Sequence, residues 1–124
     1  MTTDADYEIL FYVKVNGECP VDPFLDSLPV KARAKLEKWM QLLEELGPDL
    51  PRPYADTVRE KIRELRVVFG SNQYRLLYFF FERKIIVTHG FIKKSQKVPK
   101  EEIERAMCFM EDFHERSGKG ESEI

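Results

Sequence analysis

With 124 residues, 43% of them hydrophobic and 34% charged, the chain has enough apolar surface for one folded core, which excludes a disordered chain and leaves no room for a second independent domain. Its formal charge of −2 hides a segregation: residues 1–58 hold six Lys/Arg against eleven Asp/Glu, residues 59–100 eleven against three, and residues 101–124 three against eight. A basic middle between acidic ends serves either a phosphate-binding face, which depends on local potential, or a lysine-guarded sheet edge.

The opening MTTDADYEIL is acidic where a secretory leader is basic and then apolar, and no segment reaches membrane-spanning length, so the expected address is the cytoplasm. Ile9, Phe11, Val13 and Val15 alternate with more polar residues, predicting a strand over Tyr7–Val15 that ends at Asn16-Gly17. Cys19 and Cys108 lack metal-type spacing and read as filler in the core or at its margin. Asp22-Pro23 predicts a helix capped by Asp22, and Ser27-Leu28-Pro29 starts a second, longer one. In that helix Leu36, Trp39, Met40, Leu43 and Leu46 share one face, opposite Lys31, Lys35, Lys38 and Glu45, and Gly47-Pro48 ends it with a left-handed cap.

A proline-rich loop follows. Segments Lys61–Phe69, Gln73–Phe81 and Ile85–Ile92, separated by Gly70-Ser71-Asn72 and Glu82-Arg83-Lys84, predict a three-stranded antiparallel meander with an aromatic core. Ile103, Met107, Met110 and Phe113 predict an amphipathic helix over Val98–Arg116. The expected class is α+β: an N-terminal strand, two helices, the meander and a C-terminal helix. It forms a single domain over residues 1–116 with a flexible tail at 117–124.

Glycine-rich phosphate loops, dinucleotide fingerprints, zinc-type His pairs and nucleophile triads are all missing from the sequence, so neither a metal nor a cofactor is expected. What stands out is a concentration of Arg63, Arg66, Tyr74, Arg75, Tyr78, His89, Lys93, Lys94 and Lys97 on the meander and just beyond it. Arg75 interrupts an apolar strand. It is either a structural partner of Glu64 or Glu82 or a guanidinium presented to a phosphate. His89 is either a satisfied strand-end histidine or a proton-transfer group.

Three runs carry a resemblance: Ile62-Arg63-Glu64-Leu65-Arg66-Val67, Tyr74-Arg75-Leu76-Leu77-Tyr78-Phe79, and His89-Gly90-Phe91-Ile92-Lys93-Lys94-Ser95-Gln96-Lys97-Val98-Pro99. Their order, with Pro23–Leu28 and Leu46-Gly47-Pro48 upstream, is similar to that of the phage-type HigB-like toxins of the RelE/ParE superfamily over residues 7 to 113. The resemblance implies helices on one side of a curved sheet and cleavage of mRNA, often on the translating ribosome. It also implies a partner antitoxin of the helix-turn-helix, HigA-like kind. On it, Arg66, Arg75, His89, Lys93 and Lys94 are expected catalytic residues, and Arg63, Tyr74, Tyr78 and Lys97 are expected RNA contacts. A gyrase-binding ParE-like inhibitor and an inactive binding module are the alternatives.

Overall fold

The computed structural model describes residues 7–94 and 97–118. In chain order the elements are β1 (Glu8–Phe11), α1 (Val21–Asp26), α2 (Val30–Leu46), β2 (Ala55–Arg59), β3 (Ile62–Phe69), β4 (Asn72–Phe81), β5 (Lys84–Lys93) and α3 (Lys100–Gly118), with a short 3-10 turn at Gly47–Asp49. The sheet order is β1-β5-β4-β3-β2. Strand β4 lies at its centre and is apolar on both faces, as a strand covered from both sides must be.

Leu65, Val67, Tyr74, Leu76, Tyr78, Ile85 and Val87 pack one face against α1 and α2. Ile62, Leu77, Phe79 and Ile86 pack the other against Ala106 and Phe113 of α3. The helices therefore sandwich the sheet rather than share one side, because β4 has apolar residues in both parities and each set must be covered.

The sheet has five strands where the periodicity predicts four. Strand β2, Ala-Asp-Thr-Val-Arg, lies in the stretch expected to be loop; it pairs antiparallel with β3 at the sheet margin, where a polar sequence without apolar alternation is tolerated. Strand β1 pairs parallel with β5 and stops at Phe11. Tyr12 N–H still donates to the Val87 carbonyl, but a Lys14–Glu18 turn then leads the chain away.

Pro20, not Asp22, occupies the cap position of α1, and Asp22 lies within the first turn. Gly47 does have positive φ (55°), but its ψ of −130° lies outside the left-handed helical region, and a Cβ there would stand 2.5 Å from the Tyr7 ring. Leu46, at the end of α2, is 38% exposed, and Cys108 faces solvent. Met107 and Met110 are only partly buried, since Ala106 takes the central position against the sheet. Ser117 and Gly118 continue α3; the rest of the expected tail lies outside the described residues.

Gly90 holds α1 against the sheet: a Cβ there would stand 2.4 Å from Phe24 Cδ2 and 2.8 Å from Leu76 Cδ2. Gly90→Ala should therefore lower stability by about 1–3 kcal/mol, the usual scale of overpacking. Adding Phe24→Leu should restore part of it. Thermal unfolding of the single and double variants checks this, and an unchanged melting temperature for Gly90→Ala would show that α1 is not seated so closely.

Candidate active site

The basic residues are sorted between the two faces by strand parity and by one irregularity. The β4–β5 register shifts between Leu77↔His89 and Tyr78↔Val87, which leaves Thr88 as an extra residue in β5. Val87 faces α2. Without the bulge His89, Phe91 and Lys93 would face it too. With the bulge they turn to the α3 side, where Lys93 lies opposite Gln73, and Phe91 opposite Arg75. The Thr88 hydroxyl, fully buried, lies 3.1 Å from the Leu77 carbonyl that the bulge leaves short of a ladder partner.

On this face Arg66 and Arg75 are direct cross-strand partners. Like charges so placed repel, and they need a shared anion. Glu64 is that anion. It is 3% exposed, and its Oε2 accepts from Arg66 Nε at 3.0 Å; Arg75 Nε stands 3.0 Å from its Oε1, an ion contact whose N–H is not aligned on the oxygen. Arg75, 4% exposed, also donates through Nη1 to the Tyr74 carbonyl and through Nη2 to Gln73 Oε1. Arg66 is braced further by the Pro53 carbonyl and by Asp56.

Burial pushes the Arg75 guanidinium below its ordinary value, with Glu64 opposing and Arg66 adding to the shift; a guanidinium so displaced still carries its charge. Lys93, opposite Gln73 and so two residues along the ladder from the Arg75 position, is lowered by burial and then by the charge of Arg75. Lys94 and Lys97 are exposed beyond the end of β5, on either side of Ser95 and Gln96, which lie outside the described residues.

Other sequence candidates are not brought to this cluster. Arg63 and Tyr78 are cross-strand partners on the α2 face, with Arg63 Nε donating to the Tyr78 hydroxyl at 3.5 Å and Nη1 reaching Thr57. Tyr78 and Tyr74 are buried in the α2-side core. Sequence adjacency to Arg75 therefore places Tyr74 on the opposite face.

His89 lies on the α3 face but is 1% exposed, with Nε2 at 2.9 Å from Glu102 Oε1 and Nδ1 at 3.1 Å from the Thr88 hydroxyl. Assigning the proton to Nε2 gives the carboxylate a donor and leaves Nδ1 an acceptor, which competes with the Leu77 carbonyl for the single Thr88 hydroxyl hydrogen. Burial, then the charge of Arg105, lowers its pKa, with Glu102 opposing.

The sequence points to Glu64 as a partner of Arg75, but not to Gln73 or to Asp56. Gln73 is legible in principle, since two residues along a strand return to the same face, whereas Asp56 depends on the unexpected β2. Among the described residues no group of His, Cys, Asp or Glu is arranged to hold a metal ion. None of their helices is long and apolar enough to cross a membrane.

A larger hollow of about 730 Å³ lies between β1 and α2, but Glu37 and Glu44 line it and it sits at the sheet edge away from the arginines, which suits it poorly to phosphate. A cavity of about 370 Å³ adjoins Arg66 and Arg75 and is completed by Lys35, Trp39, Tyr54 and neighbouring residues.

Two opposed arginines with a lysine nearby make this face a candidate for anion binding, and comparison with known proteins gives the chain a family. The family described as phage derived protein Gp49-like (DUF891) matches residues 23–111, and this chain belongs to it. The chain is also 34% identical over 97 residues to a protein of Mycobacterium tuberculosis named probable endoribonuclease HigB1, covering 78% of this chain and 76% of the relative, with the same figures in strains CDC 1551 / Oshkosh and ATCC 25618 / H37Rv.

The lowered pKa of His89 carries a stability consequence. The unfolded histidine binds its proton near pH ~6.5 and the folded one only at lower pH, so stability should fall as pH drops through about 6.5. His89→Gln, which keeps a side-chain donor and cannot charge, should flatten that fall between about pH 7.5 and 5.5. Melting temperatures of both proteins across the window measure it; equal slopes would mean that His89 is protonated as easily in the fold as out of it.

Proposed function

We propose that this protein is the toxin of a type II toxin–antitoxin pair, a RelE/ParE-superfamily endoribonuclease that cuts mRNA in the cytoplasm, on the translating ribosome. Its partner is a helix-turn-helix antitoxin of HigA-like type. The observation that carries the reading is the pairing of Arg66 with Arg75 across β3 and β4 beside Lys93. A phosphate is the natural ligand for such a group, and the name of the Mycobacterium relative supplies the reaction class.

RNA carries its own nucleophile. A base takes the proton of the ribose 2′-hydroxyl, the oxygen attacks the adjacent phosphorus, cations hold the charge that gathers on the phosphoryl oxygens, and an acid protonates the departing 5′-oxygen. Arg66 and Arg75 take the electrostatic part, their forks held in place by Glu64, Gln73 and Asp56 before substrate arrives. Lys93, lowered by burial and by Arg75, is the candidate for proton transfer, and Lys94 and Lys97 extend the binding face for the RNA strand. His89, with both ring nitrogens already engaged by Glu102 and Thr88, takes a positioning part by fixing the first turn of α3 through Glu102. Arg63 reaches the RNA only at the far side of the sheet, and Tyr74 and Tyr78 support the arginines from beneath.

Purified protein added to programmed ribosomes should shorten the mRNA at defined positions. Arg75→Ala should reduce cleavage by roughly a hundredfold or more, the scale of losing one preorganised donor. Arg66 remains as a partner for Glu64, so the variant should keep most of its melting temperature. Lys93→Glu combined with Lys97→Glu should weaken RNA binding and flatten its dependence on salt, because fewer counterions are released. Intact mRNA together with trapped gyrase–DNA complexes would instead support the gyrase-binding reading.

A further inference from the structure

We infer that the cavity between α2 and the start of β2 is a nucleobase subsite, in which the stacked rings of Trp39 and Tyr54 receive a base of the RNA whose phosphate lies on Arg66 and Arg75. The inference rests on the nuclease reading and adds to it a place where the substrate's base is held.

The cavity measures about 370 Å³, at the small end for ligand pockets and suited to one planar group rather than a folded element. Trp39, Tyr54 and Val68 form its planar and apolar wall, and Lys35, Arg66 and Arg75 supply its charge. Trp39 and Tyr54 stack with ring centroids 4.9 Å apart at 28°. Tyr54 is nevertheless 43% exposed, a large area of aromatic surface left in water after that stack is made. An aromatic platform beside cations is the combination that single-stranded RNA uses: bases stack, phosphates pair.

The two functions are joined by the backbone. Arg66 N–H donates to the Tyr54 carbonyl at 2.8 Å, and Arg66 Nη1 donates to the Pro53 carbonyl at 3.3 Å. The residue that would bind the phosphate thus also holds the segment carrying the platform. Lys35 donates to the Val68 carbonyl and Arg75 is held by Glu64, but a stack serving only to anchor residues 53–54 on α2 does not need an open tyrosine.

Trp39 is the chain's single tryptophan, so its emission reports on this cavity without mutation. A short 2′-O-methyl RNA, which cannot be cleaved, should quench it, and ribose 5-phosphate, which has no base, should not. Tyr54→Leu should weaken binding of that RNA about fivefold, equivalent to ~1 kcal/mol for a stacked base, and Tyr54→Phe should bind like the parent. If the parent binds end-labelled RNA and cuts mRNA while Trp39 emission stays unchanged, the subsite is wrong and the nuclease reading stands. The subsite is equally wrong if Tyr54→Leu melts normally and cuts like the parent, including the case where it only escapes the antitoxin, which would make the cavity a protein-docking site. A parent that neither binds nor cuts RNA overturns both readings together.

Discussion

One extra residue in β5 decides what the sheet can do. The strand leaves Val87 facing α2 and, past the bulge at Thr88, points His89, Phe91 and Lys93 at the face shared by Arg66 and Arg75. In a regular strand those three side chains would sit with Val87, and the lysine would be on the wrong side of the sheet from both arginines. The local cost is an interrupted ladder, met by a side-chain hydroxyl placed 3.1 Å from the Leu77 carbonyl. The bulge also divides the His89-Gly90-Phe91 run among three tasks. His89 bonds to α3, Gly90 lets Phe24 of α1 approach, and Phe91 sits opposite Arg75.

Glu64 has the complementary role. Two guanidinium groups facing each other across neighbouring strands form a strong anion site and, left alone, a destabilising one. A single carboxylate, 3% exposed, contacts both. The ion contact that gives Arg75 its structural partner also fixes the orientation of both guanidinium groups, which is what the proposed phosphate-binding role would need. Arg75 Nε and Glu64 Oε1 are both buried and lie 3.0 Å apart without an aligned hydrogen bond, so their contact is ionic.

The α+β class, the long helices and strands β3 to β5 are legible in the sequence, because their apolar periods are long and bounded by turn residues. Strand β2 is hidden because an edge strand needs no apolar alternation, and β1 is over-extended because Val13 and Val15 continue a pattern that the Lys14–Glu18 turn interrupts. For the site, residue type alone points to Arg66, Arg75 and Lys93, but their convergence depends on a bulge that no short pattern announces. The family resemblance draws in Tyr74 and Tyr78, although alternation already puts them on the opposite face from Arg75. His89 leaves both outcomes open in sequence, and the structure shows it buried and bonded to Glu102 and Thr88. Trp39, plain core by its helical spacing, is only partly buried and turns part of its surface to the cavity beside the arginines.

Part of the acidic charge on α3 is already paired within the fold. Glu102 is occupied by His89 and Arg105, and Asp112 by Arg116 and the Tyr12 hydroxyl, so two of the helix's carboxylates are tied into contacts that fasten it to the sheet. Glu101, Glu104 and Glu111 are exposed, where water and salt screen them within about a Debye length. Arg66 and Arg75 sit on a more enclosed surface, where water screens them less but Glu64 and Asp56 offset part of their charge. On the proposed function, a chain with a pI of 5.8 would thus still offer phosphate a locally positive face. Its overall acidity would then govern how it meets distant partners, and the arginine pair what it holds once they are in contact.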